Sequence, residues 1–304
     1  MSTTPKTLLI VNPAAGHGRG KRVFKLLEPR LRQSFPDLDV LTSEYPGHAV
    51  EIGRAAAGDT FDVVLCLGGD GTPFEVINGL YSQGRPAHRP HFGFIPAGTG
   101  NSFLRDFGIE TPDAALDRIL EGRPRPIDLV EFSYSNNGTI ERKYSLNIIG
   151  VGLIADILKL TNEKLKPLGA FGYSLAVLLR LAKGMRNRID IRTDGASRSI
   201  RDSALVVSNS KFTGGKMKIA PDAETADGLA DLVIFREVNR REILAIFKRV
   251  FAGTHTAHPK VDMVRAAEMV IEGDPPLLLM ADGEMLGRTP LRLKVLPAEL
   301  TLLV

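Results

Sequence analysis

The chain has 304 residues, 43% of them apolar and 24% charged, an average globular balance that excludes disorder, coiled coil and collagen and suits about two domains. Lys and Arg number 39 against 35 Asp and Glu, and the resulting +4 is too small to imply a nucleic-acid groove. One cysteine, Cys66, excludes an internal disulfide and fits a reducing, cytoplasmic setting. The amino terminus lacks the basic-then-apolar order of a signal peptide, and no apolar run reaches the ~18 residues of a membrane span.

Residues 1–129 alternate short apolar runs with amphipathic stretches, the pattern of parallel strands crossed by helices. Strands are predicted at 7–11, 39–41, 62–67 and 91–95, and helices at 21–33, 49–57 and 74–82. Each strand is followed by a Gly/Pro/Asn cluster, in the loops where parallel sheets bind ligands. Further on, strands at 127–134 and 140–149 flank Asn136-Asn137-Gly138, a hairpin signal. Helices follow at 154–164 and 171–186, strands at 189–193, 199–207 and 230–235, and a helix at 240–251. Four more strands are predicted near 261–271, 277–280, 291–296 and 300–304. The second half therefore reads as a β-sandwich over 130–290, with the strands near 291–304 available to complete the first domain and a cleft where the domains meet.

Gly68-Gly69-Asp70-Gly71-Thr72 stands between a buried strand and a helix. Consecutive glycines bring backbone N–H groups close to a phosphate chain, and the next helix offers its positive end. A carboxylate beside phosphates is repelled, so Asp70 makes sense against Mg²⁺, a water on that ion or an acceptor hydroxyl. The bland alternative is an ordinary tight turn. The first loop, Asn12-Pro13-Ala14-Ala15-Gly16 and on to Lys21, is not a Walker P-loop, because three residues separate Gly16 from Gly20-Lys21 and Arg22 replaces the Ser or Thr. Nor is it a dinucleotide fingerprint, position 21 being Lys. It reads as a solvated turn or a phosphate lid. In the third loop, Pro96 to Ser102, Thr99 supplies a hydroxyl and Asn101 an amide that can cap the next helix.

Late in the chain, Asp282-Gly283-Glu284 is either a hairpin tip or an acidic pair, one carboxylate taking a hydroxyl proton while the other holds Mg²⁺ or orients the first. Asp222, Glu224, Asp227 and Asp231 around Gly228 read as a divalent-cation site or a solvated turn. His255 and His258 lack a third ligand, and Pro259 discourages helix there. Residues 171–188 are a core helix with a basic rim or a surface that meets anionic lipid.

Taken together, Asn12-Pro13-x-x-Gly16, Gly68-Gly69-Asp70-Gly71-Thr72 with Glu75-Val76-x-Asn78-Gly79, and Pro96-x-Gly98-Thr99-Gly100-Asn101 resemble the diacylglycerol kinase catalytic-domain family, which includes soluble bacterial lipid kinases and sphingosine kinases. Arg125 to Leu129, Asn147 to Ala155, Gly214 to Pro221, Asp227-Gly228-Leu229 and the segment from Asp282 to Leu291 extend the resemblance end to end. Phe74 stands where relatives commonly carry Asn, and Ser102 where they commonly carry Asp.

The resemblance implies a Rossmann-like α/β domain related to NAD kinase and phosphofructokinase, a carboxy-terminal β-sandwich, and ATP in the cleft. Asn12, Pro13, Ala14, Ala15, Gly16, Ser43, Gly68, Gly69, Asp70, Gly71, Thr72 and Thr99 would line the nucleotide. Asp282 would be the base, with Glu284 its partner or the base itself. A structural Mg²⁺ would sit on Asp227, the Leu229 carbonyl and Glu224. The implied activity is ATP- and Mg²⁺-dependent phosphorylation of a lipid hydroxyl, diacylglycerol or a related acyl-chain alcohol, with transient peripheral contact at a membrane, no nucleic-acid partner and an open oligomeric state. The alternatives are an NAD kinase-like enzyme with a soluble substrate and a non-catalytic nucleotide or lipid sensor.

Overall fold

Apolar runs of five and six residues become the buried strands of a parallel sheet. The computed structural model describes residues 5–161 and 187–304, in two units, Met1–Leu129 with Ala298–Val304 and Val130–Pro297. In the first unit, β1 (Thr7–Val11), β2 (Leu38–Thr42), β3 (Val63–Gly68) and β4 (His91–Pro96) pair in parallel in the order β2-β1-β3-β4. Every residue of β1 and β3 is buried, as expected of strands covered on both faces. The far end of the last strand, β17 (Glu284–Leu303), joins the outer edge of β4 in parallel through Thr301 and Leu302. Buried Glu299 holds that return, accepting the Tyr81 hydroxyl at 3.2 Å and Arg85 Nε at 3.0 Å.

The helices of this unit are α1 (Ala15–Ser34), α2 (His48–Ala56), α3 (Gly71–Leu80) and α4 (Pro112–Glu121). α2 and α3 meet backbone to backbone at Gly53 and Gly79. A Cβ on Gly79 would stand 2.8 Å from the Arg54 nitrogen and collide with the Val50 carbonyl, so only glycine permits this approach.

The second unit is antiparallel. It contains β5 (Pro124–Asn136, from Val130 on), β6 (Thr139–Ser145), β7 (Ile148–Val151), β8 (Arg188–Thr193), β9 (Ala196–Arg201), β10 (Ser203–Ser208), a short pair β11 (Phe212–Thr213) and β12 (Met217–Lys218), β13 (Ala230–Arg236), β14 (Val261–Ala266), β15 (Glu268–Asp274) and β16 (Leu278–Ala281). One branch runs β14-β13-β10-β7-β16, the other β9-β8-β15, and both reach β17. Two helices, α5 (Leu153–Leu160) and α6 (Arg240–Val250), pack on an apolar cluster that includes Val206, Val233, Ile246 and Met280.

Five predicted elements differ from the observed ones. The strand expected at 140–149 breaks into β6 and β7 because the Leu146 and Asn147 amides turn to Asp282. The run 199–207 breaks at Asp202, which adopts φ 46°, and 261–271 breaks at Ala267, whose N–H goes to the Asp194 carboxylate at 2.7 Å. Conversely, 291–296 and 300–304 are parts of the single strand β17. The helix expected at 171–186 and the end of the one at 154–164 lie outside the described residues.

Gly79→Ala is expected to destabilise the protein by about 1–3 kcal/mol through overpacking. Urea unfolding would register a lower midpoint with unchanged slope, and an unchanged midpoint would refute the backbone contact.

Candidate active site

In the first unit three loops gather at the carboxyl ends of the parallel strands, and their polar side chains are largely engaged with one another. Asn12 Oδ1 accepts the N–H groups of Ala14 and Ala15, both at 3.1 Å, while its Nδ2 donates to Thr72 Oγ1 at 3.3 Å. Thr72 is buried at the start of α3, so this pair ties the first loop to the second. Pro13 and Ala15 are half-buried and Ala14 is exposed. Gly16, His17 and Gly18 all take left-handed φ, at 57°, 58° and 86°, so the chain turns sharply before α1 becomes regular.

The second and third loops approach each other backbone to backbone at Gly69 and Gly98. A Cβ on Gly98 would stand 2.5 Å from the Gly69 Cα. Asn101, itself left-handed at φ 51°, accepts the Gly98 N–H at 3.0 Å and donates back to the Gly98 carbonyl at 2.9 Å. Asp70 was expected to face a metal or a hydroxyl. Its Oδ1 instead accepts the Ser102 N–H at 2.8 Å, at the start of the short helix Phe103–Phe107. Burial pushes the Asp70 carboxyl up from the ordinary range, against the pull of the Ser102, Phe103 and Asn101 amides. Ser102 takes part through its backbone N–H, and Phe74 is buried.

These bonds leave a backbone cradle. No side chain caps α3, and its first turn carries no acid, so its leading N–H groups and its dipole suit an anion. Exposed Thr99 flanks the glycines, and Ser43, buried after β2, donates its N–H to the Val11 carbonyl at 2.9 Å.

In the second unit Asp282 is buried and accepts four donors: Ser145 Oγ at 2.8 Å, Leu146 N at 2.9 Å, Asn147 N at 3.1 Å and Ile148 N at 2.9 Å. Burial raises its pKa to about 6, although all four donors pull it down. Three of these donors reach Oδ1 and one reaches Oδ2, so the turn takes up most of the carboxylate's accepting capacity. Two residues on, Glu284 is exposed. The structure thus separates the acidic pair, Asp282 fixing the turn and Glu284 leaving it.

The Asp-Gly-Leu turn does not fit the implied Mg²⁺. Asp227 accepts the Leu229 N–H at 3.0 Å and is ion-paired with Arg265. Arg265 also lies 3.6 Å from buried Asp231, its cross-strand partner, and Glu224 pairs with Lys211 at 3.5 Å. Among the described residues no group of three or more Asp, Glu, His or Cys side chains could hold a metal. A guanidinium supplies the positive charge expected of the ion. Desolvation, then Asp222 and Glu224, raise the Asp231 pKa to about 6.

Within the same unit lies a pocket lined by apolar side chains, among them Leu153, Ile157, Val206, Ile219, Phe235 and Val250, with Thr213 the one polar residue among the described residues of the lining. Sequence reading missed it, since such residues signal only a core. It also missed Ser145 and the amides of 146–148, which reach Asp282 from more than 130 positions away, and Arg265, whose role depends on strand register.

The chain matches a family model described as the diacylglycerol kinase catalytic domain over residues 6–132. Residues 147–304 match one described as the YegS C-terminal NAD kinase beta sandwich-like domain. It is 30% identical to a diacylglycerol kinase of Bacillus subtilis (strain 168) over 289 residues, 93% of this chain and 90% of that protein. A diacylglycerol kinase of Mycobacterium tuberculosis (strain ATCC 25618 / H37Rv) is 28% identical over 301 residues, 98% of this chain and 94% of the relative. A crystal structure of a diacylglycerol kinase from Bacillus anthracis str. Sterne superposes with TM-score 0.74 at 25% identity, covering 100% of this chain and 98% of that one. Yeast NADH kinase, at TM-score 0.54 and 11% identity over 99% of this chain and 83% of that one, shares the fold.

Two measurements test the acidic cluster. An Asp whose folded pKa is raised binds its proton more readily folded than unfolded, so its share of stability falls as pH rises from about 4 to about 6. Asp231→Asn is therefore expected to raise stability at pH 7 by on the order of 2 kcal/mol, a gain that shrinks to nothing near pH 4. A pH-independent difference would sink the assignment. With Arg265 in place of a metal, the melting temperature of the nucleotide-free protein should not move on adding EDTA, and a drop of several degrees would reveal a resident cation.

Proposed function

The chain belongs to the diacylglycerol kinase family and is a kinase acting on a lipid alcohol; from that premise we propose that it transfers the γ-phosphoryl group of Mg²⁺-bound ATP to the free hydroxyl of diacylglycerol presented at a membrane surface. The observation that carries the acceptor is the apolar pocket of the second unit, lined among the described residues by apolar side chains except for Thr213. A soluble dinucleotide offers nothing to such a lining, whereas an acyl chain gains about 0.8 kcal/mol per buried CH₂.

On this reading the nucleotide phosphates rest on the amides of Gly68, Gly69, Asp70 and Gly71 at the amino end of α3, the residues from Asn12 to Gly16 close over them, and Ser43, Thr72 and Thr99 complete the lining. Bound with the nucleotide, Mg²⁺ would supply charge neutralisation at the phosphates. Glu284 takes the proton of the acceptor hydroxyl as its oxygen bonds to the γ-phosphorus and the bond to the β-γ bridging oxygen breaks, leaving ADP. Asp282 holds the turn from which Glu284 projects.

Labelled ATP with Mg²⁺ and diacylglycerol in mixed micelles should yield labelled phosphatidate, and labelled NADP in its place would overturn the reading. Glu284→Gln should lower kcat by about 10²–10⁴ with an unchanged melting temperature, because the side chain is exposed. Asp282→Asn should lower the melting temperature as well, since an amide nitrogen would face the donors of 145–148. A fully active Glu284→Gln protein would return the base to another residue.

A further inference from the structure

We propose that the outer face of α6 and the adjoining Phe251 form a docking surface for an anionic bilayer; this rests on reading the apolar pocket as an acyl-chain site. The helix has two working faces. Ile246 and Val250 are buried and, with Phe247, line the pocket. On the opposite arc Leu244 is 42% and Phe251 50% exposed. They are seven residues apart, two turns along one helical face, and Phe247 meets Phe251 edge-on at 5.5 Å. The pocket wall and the exposed apolar stripe are thus joined through Phe247.

Charge selects the occupant. Arg241, Lys248 and Arg249 are exposed on the same arc, and none of them makes an ion pair among the described residues. Glu242, the one acid in the helix, is turned to the Asn239 N–H at 2.8 Å and to Lys260 at 2.9 Å. Among the described side chains the outer face therefore presents three cations, two large apolar side chains and Ala245, with no carboxylate. That is the composition of an interfacial helix, and each cation near an anionic leaflet strengthens binding. A second copy of the chain would bring the same three cations against these and be repelled. A bilayer supplies both the negative surface and the hydrocarbon, and α6 would then hold the wall of the acyl pocket at the lipid boundary.

The experiment compares wild type with Leu244→Asp/Phe251→Asp and with Arg241→Gln/Lys248→Gln/Arg249→Gln. Each protein is sedimented with phosphatidylcholine vesicles with and without phosphatidylglycerol, run by analytical ultracentrifugation without lipid, and assayed on a short-chain diacylglycerol below its micelle concentration. Wild type should sediment with the phosphatidylglycerol vesicles, less so at high salt, and both variants should lose about tenfold or more of that binding. Turnover of the monomeric substrate and the melting temperature should be unchanged. Variants that bind vesicles like wild type would overturn the surface, and so would variants that change oligomeric state, since a second copy would then cover this face. Intact vesicle binding with no turnover of any lipid would instead overturn the lipid-kinase reading and leave the docking surface standing.

Discussion

The second unit depends on one buried carboxylate. Asp282 accepts four donors from Ser145 to Ile148, in the gap between β6 and β7 where the sheet offers those amides no partner. Left unpaired, each would cost on the order of 1–3 kcal/mol, so the gap exists only because the carboxylate fills it. Asp282 and Gly283 have φ 48° and 94°, the double left-handed geometry of a two-residue hairpin, and the next residue, Glu284, pairs with Ala281. The hairpin-tip and acidic-site readings are therefore compatible. The aspartate builds the tip, and the tip projects the glutamate.

The phosphate loops follow the same logic in the first unit. Side chains that look like ligands in the sequence bridge one loop to the next, Asn12 to Thr72 and Asp70 to Ser102, or brace a loop from within, Asn101 to Gly98. Their work is to hold glycine backbone in place, and the N–H groups of that backbone are the part suited to an anion. Substitution of Asn12 or Asp70 would then disturb the cradle as a whole, because each bridge orders two loops at once.

Much of this was legible because the signals are local. Continuous burial of 7–11 and 63–68, the glycines after each strand and the Asn137-Gly138 turn, left-handed at both residues, need only neighbouring residues to be read. The Asp282 cradle was not legible, since its partners come from another strand pair and three of the four donors are backbone. The breaks at Asp202 and Ala267 were hidden for the same reason, the hydrophobic pattern running on through residues whose backbone turns for a distant partner. For the apolar pocket, Leu, Ile and Phe look alike whether they fill a core or wall a cavity.

The Asp-Gly-Leu turn shows how far a motif constrains its chemistry. The motif fixes a carboxylate and a carbonyl near one another, but what neutralises them is set by the facing strand. Here β14 places Arg265 opposite Asp231, and the planar guanidinium spans from that buried residue to Asp227. A fork of five donors can serve two carboxylates from different elements. It does so without being dehydrated as an ion would be, and it cannot leave. The contact to Asp231 is the longer one, at 3.6 Å, so desolvation still prevails there and its pKa stays near 6. The turn is thereby tied to the sheet by a charge carried on the chain itself.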